Sequence, residues 1–274
     1  MNLNEIIVRL EQVDYSRDTD AEVVEILLNM YGKPIPAPII DIPAGKYILR
    51  ARNVADYNEV SVPLDLSYNR NSAYYGRANK PNSPIFYGSY FNSTYEKTVG
   101  TCLLETCPLF RNQNPIEKEY KTIIGEWEVI EPISVFTIIN PHPDGNRSDF
   151  LNYLSAHFPG FIEQFRGVFD KKEIISFQEY LYHKFNEFNI TEDPKKYWIT
   201  SNFAQTIILP DEIDGIIYES TRAWDPNLKD AVCITLKPNS ADDKLRFIRA
   251  IRRTYEYKNG ESDLIETEIH PMNI

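Results

Sequence analysis

The segment from Gly76 to Glu105 reads GRANKPNSPIFYGSYFNSTYEKTVGTCLLE, and the fold turns on how its parts are read. Gly76-Arg77-Ala78-Asn79 places an arginine behind a glycine at the start of a loop. Pro84 to Tyr90 is a short aromatic and β-branched run, which predicts a strand. Thr98 to Leu104 fits a strand or a helix by pattern alone. Glu105 then puts a carboxylate at the end of an apolar stretch, where it must be paired, hydrogen-bonded or neutralised.

Immediately upstream, residues 46–53 read KYILRARN. Strand alternation points Tyr47, Leu49 and Ala51 one way and Ile48, Arg50 and Arg52 the other. Between them, residues 53–81 are polar, tyrosine-rich and weakly periodic, which predicts long loops able to carry binding groups. Earlier still, Leu3, Ile6, Ile7, Leu10 and Val13 form one helical stripe. Val23, Val24, Leu27, Leu28 and Tyr31 form a second, with Asp20 as its cap and Gly32 as its stop. Pro34 to Gly45 reads as an extended linker.

Downstream, residues 126–139 predict one long strand, bulged or brought to an edge by Pro132. Asn140 to Asn146 predicts a turn. Four helical stripes follow, the first two separated at Pro159-Gly160 and the last running from Tyr197 to Leu209. Asp214 to Ser220 and Ala231 to Lys237 return to strand character. Leu245 to Arg253 fits either state, and Asn259-Gly260 predicts a hairpin turn. Strands early and late with helices between them give a mixed α+β class, not a βαβ array. No G-x-G-x-x-G loop supports a dinucleotide-binding crevice.

The totals bound the function. The chain has 274 residues and a formal net charge of −11, which argues against a nucleic-acid partner. It leaves room for a small anion in a local basic pocket. Three cysteines, Cys102, Cys107 and Cys233, do not make a disulfide framework, and neither they nor the four histidines have metal-ligand spacing. The first residues lack the pattern of a signal peptide, and no run approaches the ~20 apolar residues of a membrane helix. A cytoplasmic protein is expected.

Several residues admit two readings. Arg77 is either a solvated loop arginine, contributing little to stability, or a guanidinium fork for a phosphate or diphosphate. Asn79, Arg50, Arg52 and Arg70 would add donors and charge to such a site. Tyr87 is either a strand packer or a ring that stacks on a flat cationic heterocycle, an interaction worth roughly 0.5–2 kcal/mol. Glu105 is either a helix-end ion pair or the anion that stabilises a developing ribose cation. Ser220 is either a turn former or a positioning hydroxyl; no G-x-S-x-G elbow makes it a nucleophile.

Taken in order, RARN, GRAN, IFYGS, TCLLET and GIIYES resemble the RES domain family over roughly residues 46–240. The match places Arg77, Glu105 and Ser220 on the family's arginine, glutamate and serine, and Tyr87 on its active-site tyrosine. The gap between Tyr87 and Glu105 is longer than in the family, so Glu96 is a rival for the glutamate. The resemblance implies an ADP-ribosyltransferase-like mixed β core and a helical Glu105 segment near the strand face. It implies cleavage of the nicotinamide–ribose bond of NAD, with NAD as substrate and no tightly bound cofactor. It further implies a toxin-like role with a neutralising antitoxin partner. ADP-ribosyl transfer to a macromolecule, or nucleotide binding without turnover, are the alternatives. The expected organisation is a helical extension over 1–45, a catalytic domain over 46–240 with a helical insert at about 147–209, and a hairpin extension over 241–274. The two N-terminal stripes are expected to pack on the parent domain or to dock on a second copy or a neutralising partner.

Overall fold

A computed structural model describes residues 1–14, 16–30, 34–90, 94–111, 119–187, 194–208, 213–222, 231–258 and 261–270. The helices are α1 (Leu3–Gln12), α2 (Asp20–Leu28), α3 (Tyr95–Thr106), α4 (Pro108–Arg111), α5 (Asp149–Ile162), α6 (Lys171–Phe185), α7 (Trp198–Phe203) and α8 (Pro238–Lys244). The strands are β1 (Ile39–Ile42), β2 (Tyr47–Val54), β3 (Phe86–Tyr90), β4 (Glu119–Val129), β5 (Ile133–Thr137), β6 (Gly215–Glu219), β7 (Val232–Leu236), β8 (Leu245–Lys258) and β9 (Glu261–His270). They form one sheet in the order β1-β5-β6-β7-β3-β2-β4-β8-β9. Every neighbouring pair is antiparallel except β5 and β6. The chain is thus mixed α+β with a large, mostly antiparallel sheet.

The one parallel pair among the described strands explains the inserted helices. Parallel neighbours cannot be joined by a tight turn, so the chain must cross back over the sheet. Helices α5, α6 and α7 make that crossing between Thr137 and Gly215. Helix α5 runs unbroken through Pro159, against the expected break there. Proline costs one backbone bond near the helix end, and burial of Leu151, Phe158 and Ile162 on both sides of it outweighs the loss. The segment 126–139, by contrast, is two strands and not one. Pro132 falls between β4 and β5, which occupy distant positions in the sheet.

Residues 1–45 share the core of the rest. Leu3, Ile6, Leu10, Val23, Ile26 and Leu27 are buried in the same apolar cluster as Phe136, Phe177 and Phe203. Helix α1 lies against α6, and α2 against α7. The segment expected as a linker contains β1, whose Ile39–Ile42 pair with β5. Thr19, not Asp20, occupies the cap of α2: Glu22 accepts from both the backbone N–H and the hydroxyl of Thr19. The predicted stop at Tyr31 and Gly32 and the turn at Asn259-Gly260 lie outside the described residues. The strands flanking that turn do pair, with β8 and β9 antiparallel from Lys258↔Glu261 onward.

Helix α3 covers the second, smaller apolar cluster. Thr94 caps it, accepting from Lys97 N–H at 3.4 Å. Its Val99, Cys102 and Leu103 bury against Leu49 and Ala51 of β2. This settles the strand-or-helix ambiguity of residues 98–104 and fixes where Glu105 emerges, one residue before the helix ends.

Candidate functional site

The sheet register builds one wall of the site. Leu49 pairs with Ser89, Ser89 with Cys233, and Cys233 with Tyr218. Paired residues share a face, and so do residues two apart on one strand. Tyr87, Ser89, Cys233 and Tyr218 therefore line a single face, the one covered by α3. Ser220 follows at the end of β6.

Glu105 meets Ser220 there. The Ser220 hydroxyl donates to Glu105 Oε1 at 2.6 Å, across 115 residues of sequence. Ser220 is buried, whereas the Glu105 side chain keeps 25% of its exposure. Arg222 closes the other side. Its Nε lies 3.6 Å from Glu105 Oε2, and its backbone N–H donates to Ser220 Oγ at 3.4 Å. The Cys233 thiol donates to Glu105 Oε1 at 3.8 Å. Burial, then the nearby Glu105 carboxylate, push that thiol well above its ordinary pKa, so it stays neutral. The rival Glu96 is elsewhere. It is held bidentately by Arg253 at 2.9 and 3.0 Å, and its side chain is 71% exposed.

Arg77 is not a solvated loop residue. It is 6% exposed, and its guanidinium donates to the Phe185 carbonyl and, at 2.6 Å, to the Thr221 hydroxyl. The rings of Tyr197 and Tyr218 flank the cation, at 5.0 and 5.8 Å from its central carbon. Burial is the largest influence on its pKa and acts downward. Tyr197, Tyr218 and Glu105 together outweigh it and hold the pKa above the ordinary arginine value. The reading of Arg77 as a solvated loop arginine is overturned, because the arginine is a buried, bonded cation.

Tyr87 and Asn79 organise the loop that carries Arg77. Tyr87 donates to Asn79 Oδ1 at 2.8 Å and accepts from Ala78 N–H at 2.9 Å. Burial raises its pKa, which keeps the hydroxyl protonated. Asn79 Nδ2 donates to Ser72 Oγ and to the carbonyls of Tyr74 and Lys80, at 3.0 to 3.1 Å. Gly76 is required here. A Cβ on it would collide with Asn79 Oδ1 and come within 2.7 Å of the Tyr87 hydroxyl. The close approach expected of this glycine is therefore to the protein's own side chains. Asn79, expected to bind substrate, spends its amide on the loop.

Arg50 and Arg52 also depart from expectation. Alternation along β2 puts both on the face opposite Leu49, away from the wall bearing Tyr87 and Ser220. The β2–β3 ladder holds only Ile48↔Tyr90 and Leu49↔Ser89. Just past its end, Arg50 donates to the Tyr87 carbonyl at 2.5 Å and lies over the Phe86 ring at 5.5 Å. Burial lowers its pKa to about 10. Arg52 is exposed and donates to the Asp65 carbonyl at 3.2 Å.

Sequence reasoning missed four members of the cluster: Tyr197, Tyr218, Thr221 and Arg222. Tyr218 was readable in part, since it precedes Ser220 by two and so shares its face. It also missed Glu219, which faces the other way and is 1% exposed. Glu219 accepts from Ser148 N–H at 3.0 Å, Arg147 Nε at 3.1 Å and Tyr182 hydroxyl at 2.9 Å. It ties β6 to the start of α5, where the helix dipole favours an anion.

Among the described residues no cluster of three His, Cys, Asp or Glu side chains could hold a metal ion, and no helix is long and apolar enough to cross a membrane. Comparison with known protein families, curated proteins and solved structures returns no match for this chain.

Proposed function

We propose that this chain is a RES-like enzyme of ADP-ribosyltransferase-like fold that cleaves the nicotinamide–ribose bond of NAD. The observation that carries the reading is the meeting of Glu105 and Ser220 at 2.6 Å on the face bearing Tyr87 and Tyr218. The caged Arg77 donates at 2.6 Å to Thr221, the residue that follows Ser220. An arginine, a tyrosine and a glutamate from residues 76–105 thus converge with a serine more than a hundred residues further on.

The chemistry follows from charge. When the bond between ribose C1′ and the pyridinium nitrogen breaks, its electron pair leaves with nicotinamide, which departs neutral. No strong general acid is needed at that bond. Positive charge develops on the ribose, and a carboxylate beside it stabilises the transition state more than the ground state. Glu105 is the partly exposed carboxylate of the cluster, and the Ser220 hydroxyl fixes its orientation. An acceptor oxygen, from water or phosphate, then forms the new bond at C1′. Arg77 and Arg222 supply the positive side of the pocket for the substrate's diphosphate. Tyr87 and Asn79 hold the Arg77 loop in place.

Incubating the purified protein with NAD tests the reading. Release of free nicotinamide with no labelled acceptor is the expected result. Label on a macromolecule would shift the assignment to ADP-ribosyl transfer. Absence of turnover with retained binding would reduce the chain to a nucleotide-binding module and overturn the proposal.

A further inference from the structure

The first residue of α2, Asp20, joins two segments that flank Arg77. Its Oδ1 accepts from the Tyr75 hydroxyl at 3.1 Å, from Asn202 Nδ2 at 3.2 Å and from Trp198 Nε1. Lys80 Nζ lies 3.6 Å from its Oδ2. Tyr75 and Lys80 bracket the stretch Gly76-Arg77-Ala78-Asn79. Trp198 directly follows Tyr197, whose ring flanks the Arg77 guanidinium at 5.0 Å. One carboxylate therefore tethers both the loop that carries Arg77 and the helix that begins beside its cage. Gln205 adds a second link, donating to the Ala78 carbonyl at 2.7 Å.

A helix cap does not require this arrangement. Thr19 caps α2 through Glu22, so Asp20 is spare for that purpose. It is held among donors from separate elements, including an indole N–H, and a partly buried carboxylate gains most from such charge-assisted bonds. Burial alone would raise its pKa, but the bonds from Trp198 and Asn202 lower it overall, so the carboxylate is ionised near neutrality.

We propose that Asp20 is a positioning residue: the N-terminal helix pair, through this carboxylate, sets the geometry of the Tyr75–Lys80 loop and the Tyr197–Asn202 segment around Arg77. The part of this inference that concerns turnover rests on the NAD-cleaving reading. The part that concerns loop geometry does not.

Two variants in the full chain test it. Asp20→Asn keeps the shape and removes the charge, while Tyr75→Phe removes the bond from the loop and leaves the Asp20 carboxylate with its bonds from Trp198 and Asn202. Amide hydrogen exchange is followed at Gly76, Ala78 and Asn82, whose N–H groups bond to Asn79 O, Tyr87 hydroxyl and Ser72 O. Both variants are expected to speed exchange at these amides by about tenfold, with β4 unchanged, as loss of one charge-assisted bond would do locally. Asp20→Asn should also redshift Trp198 emission and lower kcat for nicotinamide release more than it raises KM. Unchanged exchange at the three amides would overturn the proposal. So would equal acceleration in β4, which would mean general destabilisation. If the wild-type chain releases no nicotinamide, the NAD reading fails, and the exchange comparison still decides the role of Asp20.

Discussion

Replacing Arg77 with alanine tests how the site and the fold share one residue. The substitution leaves the Phe185 carbonyl and the Thr221 hydroxyl, both buried, without their donor. Each such loss costs about 1–3 kcal/mol. Two flanking tyrosine rings lose a cation, at roughly 0.5–2 kcal/mol each. Relief from burying a charge offsets part of this, leaving a net of about 4 kcal/mol. For 274 residues, an unfolding entropy of about 2.1 cal/mol/K per residue totals about 0.6 kcal/mol/K, so Tm falls by about 7 °C. Thermal melts followed by far-UV circular dichroism measure this. Nicotinamide release is then assayed well below the variant's Tm, where it is expected to be lost. A Tm within about 1 °C of wild type would refute the packing argument, given the burial of this side chain. A large fall in Tm with full turnover would show that Arg77 only holds the walls together.

Three other outcomes are expected. Glu105→Gln should lower kcat for nicotinamide release at least about a hundredfold with little change in NAD affinity, while Glu96→Gln, bound to Arg253 away from Ser220, should leave turnover intact; the reverse pattern would reassign the carboxylate. Deleting residues 1–40 removes Leu3, Ile6, Leu10, Val23, Ile26 and Leu27 from the core, each burial worth about 1.5–3 kcal/mol, and uncovers the apolar cluster they pack on, so the product should aggregate instead of folding; a soluble, cooperative melt would contradict that. For Asp214, burial would raise the pKa, but bonds from Lys244 at 2.8 Å, Ser240 at 2.6 Å and Ser134 N–H at 2.8 Å lower it below 3.8. A depressed carboxylate contributes fully above its unfolded pKa and loses that contribution as pH falls through the folded value, so Asp214→Asn should cost stability at pH about 6 and flatten the acid limb of a Tm-versus-pH curve.

What was legible in the sequence was whatever local pattern decides. The alternation of residues 47–52 divided β2 into its two faces correctly, because Leu49 and Ala51 bury under α3 while Ile48 joins the main core. The stripes of α1 and α6 were readable for the same reason, whereas in α2 Val23 and Leu27 are buried as expected but Leu28 is exposed and Ile26 takes its place in the core. What failed depended on distant partners. Arg77 reads as a loop residue until Phe185 and Thr221, 108 and 144 residues away, bury it. Asn79 reads as a free amide until the loop closes on it. Arg50 and Arg52 read as neighbours of Arg77 by proximity in sequence, although the strand pleat turns them to the other face. Tyr197 and Arg222 carry no signal, because an isolated tyrosine or arginine is read by default as packing or solvated.

The position of Glu105 follows from two independent demands on α3. Its apolar residues must cover Leu49 and Ala51, which fixes the axis of the helix over β2 and β3. Its last turn must then overhang β7 and the end of β6, where Cys233 and Ser220 stand. A carboxylate one residue from the end of such a helix meets an unfavourable dipole, since the helix C-terminus is itself partly negative. Yet Ser220 donates to it and Arg222 stands beside it. A glutamate held against the dipole by groups from another strand is costly as a mere helix end, and an alanine or lysine there would favour the helix more. Under the proposed function, the negative charge has its use beside Ser220, where the ribose cation would develop. Arg222 also lies 3.6 Å from that charge, so under the proposed function a cationic ring would compete with it for Glu105. Removing Arg222 should therefore strengthen attraction for a pyridinium and weaken the grip on a diphosphate, two effects of opposite sign on NAD affinity. Comparing NAD with nicotinamide riboside, which lacks the diphosphate, separates them: Arg222→Ala should tighten binding of the riboside and loosen that of NAD.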